Sequence, residues 1–269
     1  MTTRLVYLVS HLRPSCSAKQ VVLLAQNLPP DSFDVHVCAF QSGGSLEQEL
    51  RQHGIDVHVL GWKNRFDLRQ IWRLRHYLRD LSPDIVHTSQ PLANCLGRLA
   101  GTMAGVRHLV VSRHETEGKP TYWRSMMNLV SRWQTTQIVC STEALKQLEI
   151  RRFAAEKLAV IPFGLPPPIM KYGDRGHLLD LLGLPPTSRL VGVLGHLEPR
   201  LRFKDIIWAM DILKVIRDDV FLLIMGRGPS EWRLQRFQRQ VQITDQVRFL
   251  TNEAHVSAAL YHLDCFCSP

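Results

Sequence analysis

Two short apolar runs, residues 190–194 and 221–225, constrain the fold of this chain more than any other feature. Each run has the length of a strand and is apolar throughout, which is typical of a parallel strand buried on both faces. Between them, residues 205–217 carry apolar side chains at roughly helical spacing. Because two parallel strands need a long crossover connection, usually a helix, this stretch predicts a βαβ unit.

The same alternation of strand-like and helical patterns extends through the N-terminal part of the chain. The apolar runs predict strands at 4–10, 34–40, 55–60, 84–88, 108–112, 137–141 and 158–162. The patterns between these runs predict helices at 21–28, 45–53, 67–81, 91–104, 122–135 and 142–152. Strands that alternate with helices in this way indicate an α/β fold with a doubly wound parallel sheet.

A stretch rich in proline and glycine, residues 164–186, interrupts this alternation. It predicts a linker at 166–188 that contains one short helix at 177–182. The chain then divides into an N-terminal Rossmann-like domain, residues 1–165, and a second one, residues 189–269. Two such domains are expected to hold a ligand in the cleft between the carboxyl edges of their sheets.

A basic loop follows the first of the two apolar runs. After Gly195 it contains His196, Arg200, Arg202 and Lys204. Ligands of open α/β sheets bind at the carboxyl ends of the strands. Cations at the start of a helix are unfavourable because of the helix dipole, and a bound diphosphate would reverse that balance. The loop is therefore a candidate phosphate-binding site, and the alternative is a solvated basic surface.

The charge, the cysteine spacing and the length of the apolar runs indicate which partners and which location to expect. The formal net charge of +9 indicates an anionic partner or a solvated basic surface. No nucleic-acid partner is expected, because the basic residues are not interleaved with aromatic residues as in known nucleic-acid modules. The six cysteines show no CxxC pair and no zinc-ligand spacing, which predicts reduced cysteines, no metal site and a cytoplasmic location. No apolar run reaches about 18 residues, so no membrane span is predicted.

Several segments of the chain resemble those of a known family. They are SCSAKQVVLLAQNL, PDIVHTSQPLANCLGRLAG, VVSRHE, IVCSTEALKQ, KLAVIPFG and the stretch from LVGVLGHLEP to LLIMGRGP. Their order is similar to that in the retaining, nucleotide-sugar-dependent glycosyltransferases of the GT-B fold, of the group 1 or family 4 type. The resemblance implies two Rossmann-like doubly wound domains, the second incomplete. It also implies transfer of a sugar from a nucleotide diphosphate sugar to an unknown acceptor, with retention and without a metal or other cofactor.

The resemblance assigns roles to residues of the first domain. His114, in the segment SRHE, matches a histidine that lies near the transferred sugar, and it is the candidate catalytic residue. Because an imidazole donates or accepts hydrogen bonds, it suits contact with a sugar hydroxyl. Cys16 and Ser17 stand in the N-terminal loop, where the family has glycines that approach the donor phosphates and the acceptor.

In the second domain the resemblance concerns the donor diphosphate. The family has an arginine just after the first-strand glycine and a lysine five residues further on, and both stabilise the leaving group. Here the glycine is Gly195, and the two basic positions hold His196 and Leu201. The charge is expected instead from three neighbouring residues: Arg200, Arg202 and Lys204. Gly226 and Gly228 match the family's turn below the nucleotide.

The family's Glu-x7-Glu motif, whose carboxylates bind the donor, does not occur before the sequence ends at residue 269. The chain is therefore expected to be a fragment or a truncated relative. The alternative function is that of a truncated, non-catalytic relative that keeps the fold and binds a nucleotide, a membrane or a protein partner. A nucleotide-sugar 2-epimerase of the same architecture is a third class, which the linker and loop sequences fit less well.

The predicted helix at 67–81 suggests a peripheral contact with an anionic membrane. Its basic and aromatic residues are Arg69, Trp72, Arg73, Arg75, His76, Tyr77 and Arg79. Basic amphipathic helices of this kind can lie on anionic lipid. The alternative is a solvent-facing helix whose apolar residues, Ile71, Leu74 and Leu78, lie in the core.

Overall fold

The computed structural model describes four ranges of the chain: residues 2–62, 69–114, 135–165 and 174–268. The chain forms two compact units, Met1–Pro166 and Pro167–Pro269. Each unit has its own parallel sheet and its own apolar core. The α/β fold with two Rossmann-like domains that the sequence predicts is confirmed.

The first unit is built on a seven-stranded parallel sheet. Its strands are β1 (Thr3–His11), β2 (Phe33–Ser42), β3 (Asp56–Val59), β4 (Ile85–Ser89), β5 (His108–Arg113), β6 (Gln137–Cys140) and β7 (Leu158–Val160). Their order in the sheet is β3-β2-β1-β4-β5-β6-β7. The strand order reverses between β1 and β4, and the crevice at the carboxyl ends of such strands is where ligands bind in open α/β sheets.

Five helices of this unit lie within the described residues. They are α1 (Cys16–Asn27), α2 (Ser45–Gln52), α3 (Arg69–Leu81), α4 (Pro91–Ala104) and α5 (Glu143–Glu149). Proline at the first position of α4 and Gly105 in the left-handed conformation after its last residue are favourable ends for a helix. The helix predicted at 122–135 falls almost entirely outside the described residues.

The start of α1 corrects the expectation of a long N-terminal loop. The Ser15 hydroxyl accepts a hydrogen bond from the Ala18 amide at 3.3 Å, which makes Ser15 the N-cap. Cys16 and Ser17 therefore lie in the first turn of a helix and not in a loop. The polar and small residues there mask the apolar spacing that becomes visible only from residue 21 onward.

Both faces of the first sheet are covered by helices. Because successive side chains of a strand point to opposite faces, β1 contributes to two separate cores. Val6 and Leu8 pack in the cluster that contains residues of α3 and α4. Leu5, Tyr7 and Val9 pack in the cluster that contains residues of α1 and α2.

The second unit contains a four-stranded parallel sheet in which the two apolar runs are neighbours. Its strands are β8 (Arg189–Leu194), β9 (Val220–Met225), β10 (Val247–Leu250) and β11 (Cys265–Cys267). Their order in the sheet is β10-β9-β8-β11. The helices are α6 (Arg175–Leu182), α7 (Phe203–Leu213), α8 (Glu231–Gln240) and α9 (Glu253–Tyr261).

Helix α6 belongs to the second unit, although the sequence pattern places it in the linker. Its Leu178 and Leu179 are buried in the same cluster as Leu190 and Leu223 of the sheet. The guanidinium of Arg175 donates to the Asp264 carboxylate at 2.6 Å, to the His262 carbonyl at 2.7 Å and to the Ser188 carbonyl at 2.9 Å. These contacts hold the start of α6 to the sheet.

Candidate functional site

His114 directly follows β5, at the carboxyl edge of the first sheet. It is only 8% exposed, and its Nε2 lies 3.2 Å from the Ser89 hydroxyl at the end of β4. The ring of Phe163, in the segment after β7, lies 4.9 Å from the imidazole ring. The structure thus brings the candidate catalytic histidine into contact with residues from two other parts of the sheet edge.

The environment of His114 keeps its imidazole neutral near pH 7. Burial and, to a smaller degree, the Arg113 guanidinium lower the pKa of His114 from 6.5 to about 4. Its Nδ1 is buried and has no hydrogen-bond partner among the described residues. A neutral imidazole with one unused ring nitrogen can make one hydrogen bond to a ligand, as donor or acceptor according to its tautomer.

A second histidine lies beside this site. The Nε2 of His87, on β4, lies 2.8 Å from the Ser112 hydroxyl on β5. Burial and the nearby His114 lower the pKa of His87 to about 4. Its ring also packs against Tyr7, with the ring centroids 5.1 Å apart. His87 therefore has a structural role within the sheet.

Gln90 fixes the ends of β1 and β4 relative to each other. Its backbone has a φ of 79°, which residues other than glycine rarely adopt. The side-chain oxygen accepts hydrogen bonds from the Ser10 amide at 2.8 Å and the His11 amide at 3.1 Å. Its side-chain nitrogen donates to the His11 carbonyl at 3.3 Å. No local sequence pattern reveals this role of Gln90, because its partners lie about 80 residues earlier in the chain.

An ion pair holds the last residue of β5, Arg113, which directly precedes His114. The Arg113 guanidinium donates to Oε1 of Glu149, on α5, at 2.8 Å from Nη2 and 3.3 Å from Nε. The Glu149 side chain is only 4% exposed and that of Arg113 18%. Both hydrogen bonds go to the same carboxylate oxygen, and because the pair is partly buried it is more rigid than an exposed one. Its members are 36 residues apart in the sequence, so no local pattern predicts it.

The N-terminus of α1 lies at the same edge, after β1. The amide of Ala18 is capped by Ser15, whereas Cys16 and Ser17 belong to the first turn, where an α-helix supplies no acceptor of its own for the amide groups. Such amides favour anions. The structure therefore gives these two residues backbone groups suited to a phosphate, without the glycines that the family has.

In the second unit, Gly226 and Gly228 allow two loops to pack backbone against backbone. A Cβ atom on Gly226 would collide with the carbonyl oxygen of Gly195, and one on Gly228 would lie 2.5 Å from the Leu197 nitrogen and oxygen. The Leu197 amide donates to the Arg227 carbonyl at 3.0 Å. The three glycines singled out from the sequence are thus brought together, and close approach explains the residue type at Gly226 and Gly228.

Two cations of the basic loop already have partners within the second unit. Arg202 precedes α7 with a φ of 50°, and its Nη2 lies 2.5 Å from the Asp205 carboxylate. The Lys204 ammonium lies 4.4 Å from the centre of the Phe237 ring on α8. Because the ion pair is exposed, it contributes on the order of 0–1 kcal/mol and a phosphate can compete with it.

The other two basic residues of the loop differ from these. His196 is exposed, and its Nε2 lies 3.6 Å from the Glu198 carboxylate. Arg200 lies in the short 3-10 turn Pro199–Leu201, and its side chain is outside the described part of the structure. Lys204 lies within α7 and not in the loop that the sequence predicts, and the described side chains of His196, Arg202 and Lys204 each contact a different partner.

Arg227 is a basic residue of this edge that the sequence analysis misses. It lies between Gly226 and Gly228, in the turn that packs on the loop after β8, and its side chain is exposed. Within the residues that the structure describes, its guanidinium has no hydrogen bond or ion pair. Its position in a glycine turn after a strand is the sequence signal that identifies it.

Neither a metal centre nor a membrane span is found in the described parts of the chain. Within residues 2–62, 69–114, 135–165 and 174–268, no group of three or more His, Cys, Asp and Glu side chains could hold a metal ion. None of the described helices is both long and apolar enough to cross a membrane.

Comparison with known proteins gives two family matches and several similar structures. The model of the family described as Glycosyltransferase Family 4 matches residues 17–167, and that of Glycosyl transferases group 1 matches residues 179–269. HepE of Anabaena, solved in complex with UDP, is 18% identical with a TM-score of 0.80, covering 98% of this chain and 73% of HepE. A glycosyltransferase from Rickettsia africae is 15% identical with a TM-score of 0.80, covering 100% of this chain and 73% of that one.

A curated relative is similar in sequence as well. The UDP-Gal:alpha-D-GlcNAc-diphosphoundecaprenol alpha-1,3-galactosyltransferase of Escherichia coli is 26% identical over 234 residues, which cover 79% of this chain. The match spans 60% of the length of that relative. The family 4 model alone matches more than half of the chain, and the solved structures share its fold. The chain therefore belongs to glycosyltransferase family 4, a family of the group 1 glycosyltransferases with the GT-B fold.

Proposed function

We propose that this protein is a glycosyltransferase that transfers a sugar from a nucleoside diphosphate sugar to an acceptor, with retention and without an obligatory metal ion. The observation that carries the proposal is His114, a buried and neutral histidine with one unused nitrogen at the carboxyl edge of a Rossmann-like sheet. Membership of glycosyltransferase family 4 supports the reaction class.

The donor we propose is a uridine diphosphate sugar. Two observations on similar proteins support this choice: HepE was solved with UDP-glucose, and the E. coli relative is named for its use of UDP-Gal. The exposed basic residues after β8 and β9 suit a diphosphate, because Arg and Lys make charge-assisted hydrogen bonds to phosphate oxygens. In this proposal the diphosphate is bound by the following residues: His196, Arg200, Arg202, Lys204 and Arg227.

The roles of these residues follow from the bonds that change. The bond between the anomeric carbon and the β-phosphate oxygen breaks, and a bond from that carbon to the acceptor oxygen forms. UDP and the acceptor's hydroxyl proton are released. The cations stabilise the charge that develops on the leaving diphosphate. His114 hydrogen-bonds a hydroxyl of the transferred sugar, and Gly195, Gly226 and Gly228 form the turns that carry the nucleotide.

The acceptor we propose is a lipid-linked saccharide at the surface of an anionic membrane, reached from the cytoplasm. The name of the E. coli relative specifies a diphosphoundecaprenol acceptor, which supports this class. Helix α3 supports it too: its buried face holds Ile71, Leu74 and Leu78, and its outer face carries Trp72, which is 53% exposed. Arginines and an exposed tryptophan are the residues that favour an anionic lipid interface.

Turnover and binding measurements test the reaction. We expect the protein to release UDP from UDP-galactose or UDP-glucose when a synthetic lipid-linked N-acetylglucosamine diphosphate is supplied, and His114→Ala to abolish most of this release. Calorimetry should show tighter binding of UDP than of uridine. Equal binding of uridine and UDP would contradict the phosphate site. Preferential UDP binding without any transfer would support the alternative, a non-catalytic relative that keeps the fold and binds a nucleotide.

Vesicle co-sedimentation tests the membrane contact. We expect binding to vesicles of phosphatidylcholine with phosphatidylglycerol and little binding to phosphatidylcholine alone. The double variant Arg73→Glu/Arg79→Glu on α3 should lose this binding. The matched control is Arg236→Glu/Arg239→Glu on α8, which changes the net charge equally. Equal losses in both double variants would show a general charge effect and reject a docking role for α3.

A further inference from the structure

Two histidine–serine hydrogen bonds join β4 to β5 and the residue after it. In one of them β4 supplies the histidine, and in the other β4 supplies the serine. His87 on β4 bonds to Ser112 on β5 at 2.8 Å, and Ser89 on β4 bonds to His114 after β5 at 3.2 Å. In both pairs the imidazole atom is Nε2 and the partners are 25 residues apart in sequence. The two pairs are thus chemically alike, and they differ in their position along the strands.

The second pair lies at the outer end of the strands, and its hydrogen bonding is incomplete. Ser89 is 1% exposed, and His114 is the only partner of its hydroxyl among the described residues. The Nδ1 of His114 is buried without a described partner. A buried polar atom that lacks a partner is destabilising, and such atoms in a native protein indicate a function or a ligand.

The imidazole ring also packs against Phe163, and the next residue in the chain is bonded to α1. Phe163 precedes Gly164, whose amide donates to the Gln20 side-chain oxygen at 2.9 Å and whose carbonyl accepts from the Gln20 side-chain nitrogen. Gln20 belongs to α1. This two-way bond ties the segment after β7 to the helix, directly beside the residue whose ring packs on His114.

We propose that Ser89 and Phe163 are positioning residues: Ser89 holds His114 as the Nδ1–H tautomer, with Nδ1 as the atom presented to the ligand, and Phe163 covers the imidazole ring. The tautomer follows from counting donors. If the Ser89 hydroxyl donates to Nε2, the proton of the neutral ring is on Nδ1, and a ligand oxygen can accept it. In the other tautomer the Ser89 hydroxyl proton would be buried without a described acceptor, even with the ligand bound.

The role of this donor rests on the proposed function. In a glycosyltransferase, Nδ1–H would donate to a hydroxyl oxygen of the transferred sugar, and its direction would fix the sugar relative to the bond that breaks. Because the ring is neutral at pH 7, a single tautomer gives a defined hydrogen bond, whereas a mixture would supply a donor in only part of the molecules.

The tautomer can be measured in the ligand-free protein. Long-range 1H–15N spectra of protein labelled at histidine report which ring nitrogen carries the proton, and His114→Gln identifies the signals of His114. We expect the Nδ1–H form in the wild type, a mixed or reversed population in Ser89→Ala, and recovery in Ser89→Thr. The matched control, Ser112→Ala, should alter His87 and leave His114 unchanged. An unaltered His114 spectrum in Ser89→Ala would overturn the proposal.

Phe163 is tested through the titration of the same ring. Phe163→Ala should expose the imidazole, so the pKa of His114 should rise from about 4 towards 6.5. Phe153→Ala, at a partly buried aromatic residue in the cluster around Val111 and Ile138, is the control and should not change it. No difference between the two variants would remove Phe163 from the proposal.

Turnover of UDP-galactose or UDP-glucose separates positioning from a merely structural role. Ser89→Ala should lower kcat about tenfold with KM for the UDP-sugar nearly unchanged, Ser89→Thr should recover it, and Ser112→Ala should leave it within about twofold. A changed tautomer with unchanged kcat would overturn the positioning role. A wild-type protein inert towards UDP-sugars would contradict the proposed function, and the spectra would still decide whether Ser89 sets the tautomer.

Discussion

The carboxyl edge of the first sheet is organised by buried side chains, whereas that of the second sheet is organised by backbone contacts and carries exposed charge. At the first edge, His114, Ser89 and Gln90 are each less than a tenth exposed and form hydrogen bonds between strands. At the second edge, Gly228 packs on the Leu197 backbone, and the side chains of Arg202 and Arg227 lie in solvent. The first edge therefore holds its functional groups in fixed positions, whereas the charged side chains of the second edge can adjust to a ligand.

The two edges should differ most in the stability that is lost when one carboxylate is removed from each. Glu149→Ala removes the buried carboxylate that accepts two hydrogen bonds from the Arg113 guanidinium, so we expect a loss of roughly 1.5–3 kcal/mol in the unfolding free energy of the first unit. Asp205→Ala removes the exposed partner of Arg202 and should cost less than about 1 kcal/mol. Urea unfolding, followed by NMR signals of each unit separately, measures both, and similar losses would contradict the comparison.

A methyl group at the glycine turn tests the importance of backbone packing at the second edge. Gly228→Ala places a Cβ atom 2.5 Å from backbone atoms of Leu197, so we expect a loss of roughly 1–3 kcal/mol in the unfolding free energy of the second unit. The control is Gly176→Ala in α6, where the nearest atom belongs to the flexible Asp174 side chain and alanine favours the helix. A Gly228 variant as stable as the control would mean that the loops can separate at little cost.

Acid should weaken the first edge through its two neutral histidines. The pKa values of His87 and His114 are about 4 in the folded protein, below the ordinary 6.5, so the unfolded chain takes up protons first as the pH falls. The contribution of these two histidines to the unfolding free energy of the first unit should be constant above about pH 7 and fall between pH 6.5 and 4, by roughly 1–2 kcal/mol per histidine by pH 5.

His87→Gln should reduce this pH dependence, as urea unfolding at pH 7 and pH 5 would show. The control is His108→Gln, because His108 is exposed on the same sheet. A wild-type first unit equally stable at both pH values would contradict the burial of two neutral imidazoles.

The affinity for UDP should respond differently to the loss of Arg227 and to the loss of the Arg202 partner, Asp205. Arg227 has no partner in the described residues, so Arg227→Ala should weaken UDP binding about tenfold, as expected for loss of one charge-assisted contact. Asp205→Ala should strengthen binding by up to about fivefold, because it removes the carboxylate that competes with the phosphate for Arg202. Calorimetry measures both, and the matched control is Arg233→Ala on α8. An equal effect of the Arg227 and Arg233 variants would reject a specific contact.

The sequence predicts the elements of both sheets because apolar spacing is local. The runs at 190–194 and 221–225 became β8 and β9, and the helix over Pro91–Ala104 has the predicted limits. The apolar pattern does not reveal the start of α1, because its capping residue, Ser15, precedes a turn with no apolar stripe. The pattern does not distinguish the short helix α6 from a linker either, because only tertiary packing shows that it belongs to the second unit.

The candidate site is less accessible to sequence reasoning, because its contacts join distant residues. His114 was identified through a family resemblance, but its partners Ser89 and Phe163 depend on strand register and on the path of the chain after β7. Arg202 looks like a free cation in the sequence, and the structure pairs it with Asp205 on the first turn of α7. Residue type thus indicates which groups are present, and only register and packing determine which of them remain available.

Gln90 has a consequence for how the first edge opens. One side-chain oxygen accepts from the amides of both Ser10 and His11, so a single rotation of that side chain releases both amides together. Their exchange with deuterated solvent should therefore be correlated, and slower than that of a strand end held only by neighbouring backbone. The Gln90 side chain is therefore a single control point: its rotation frees the end of β1, and the alignment of β1 with β4 is lost at the same time.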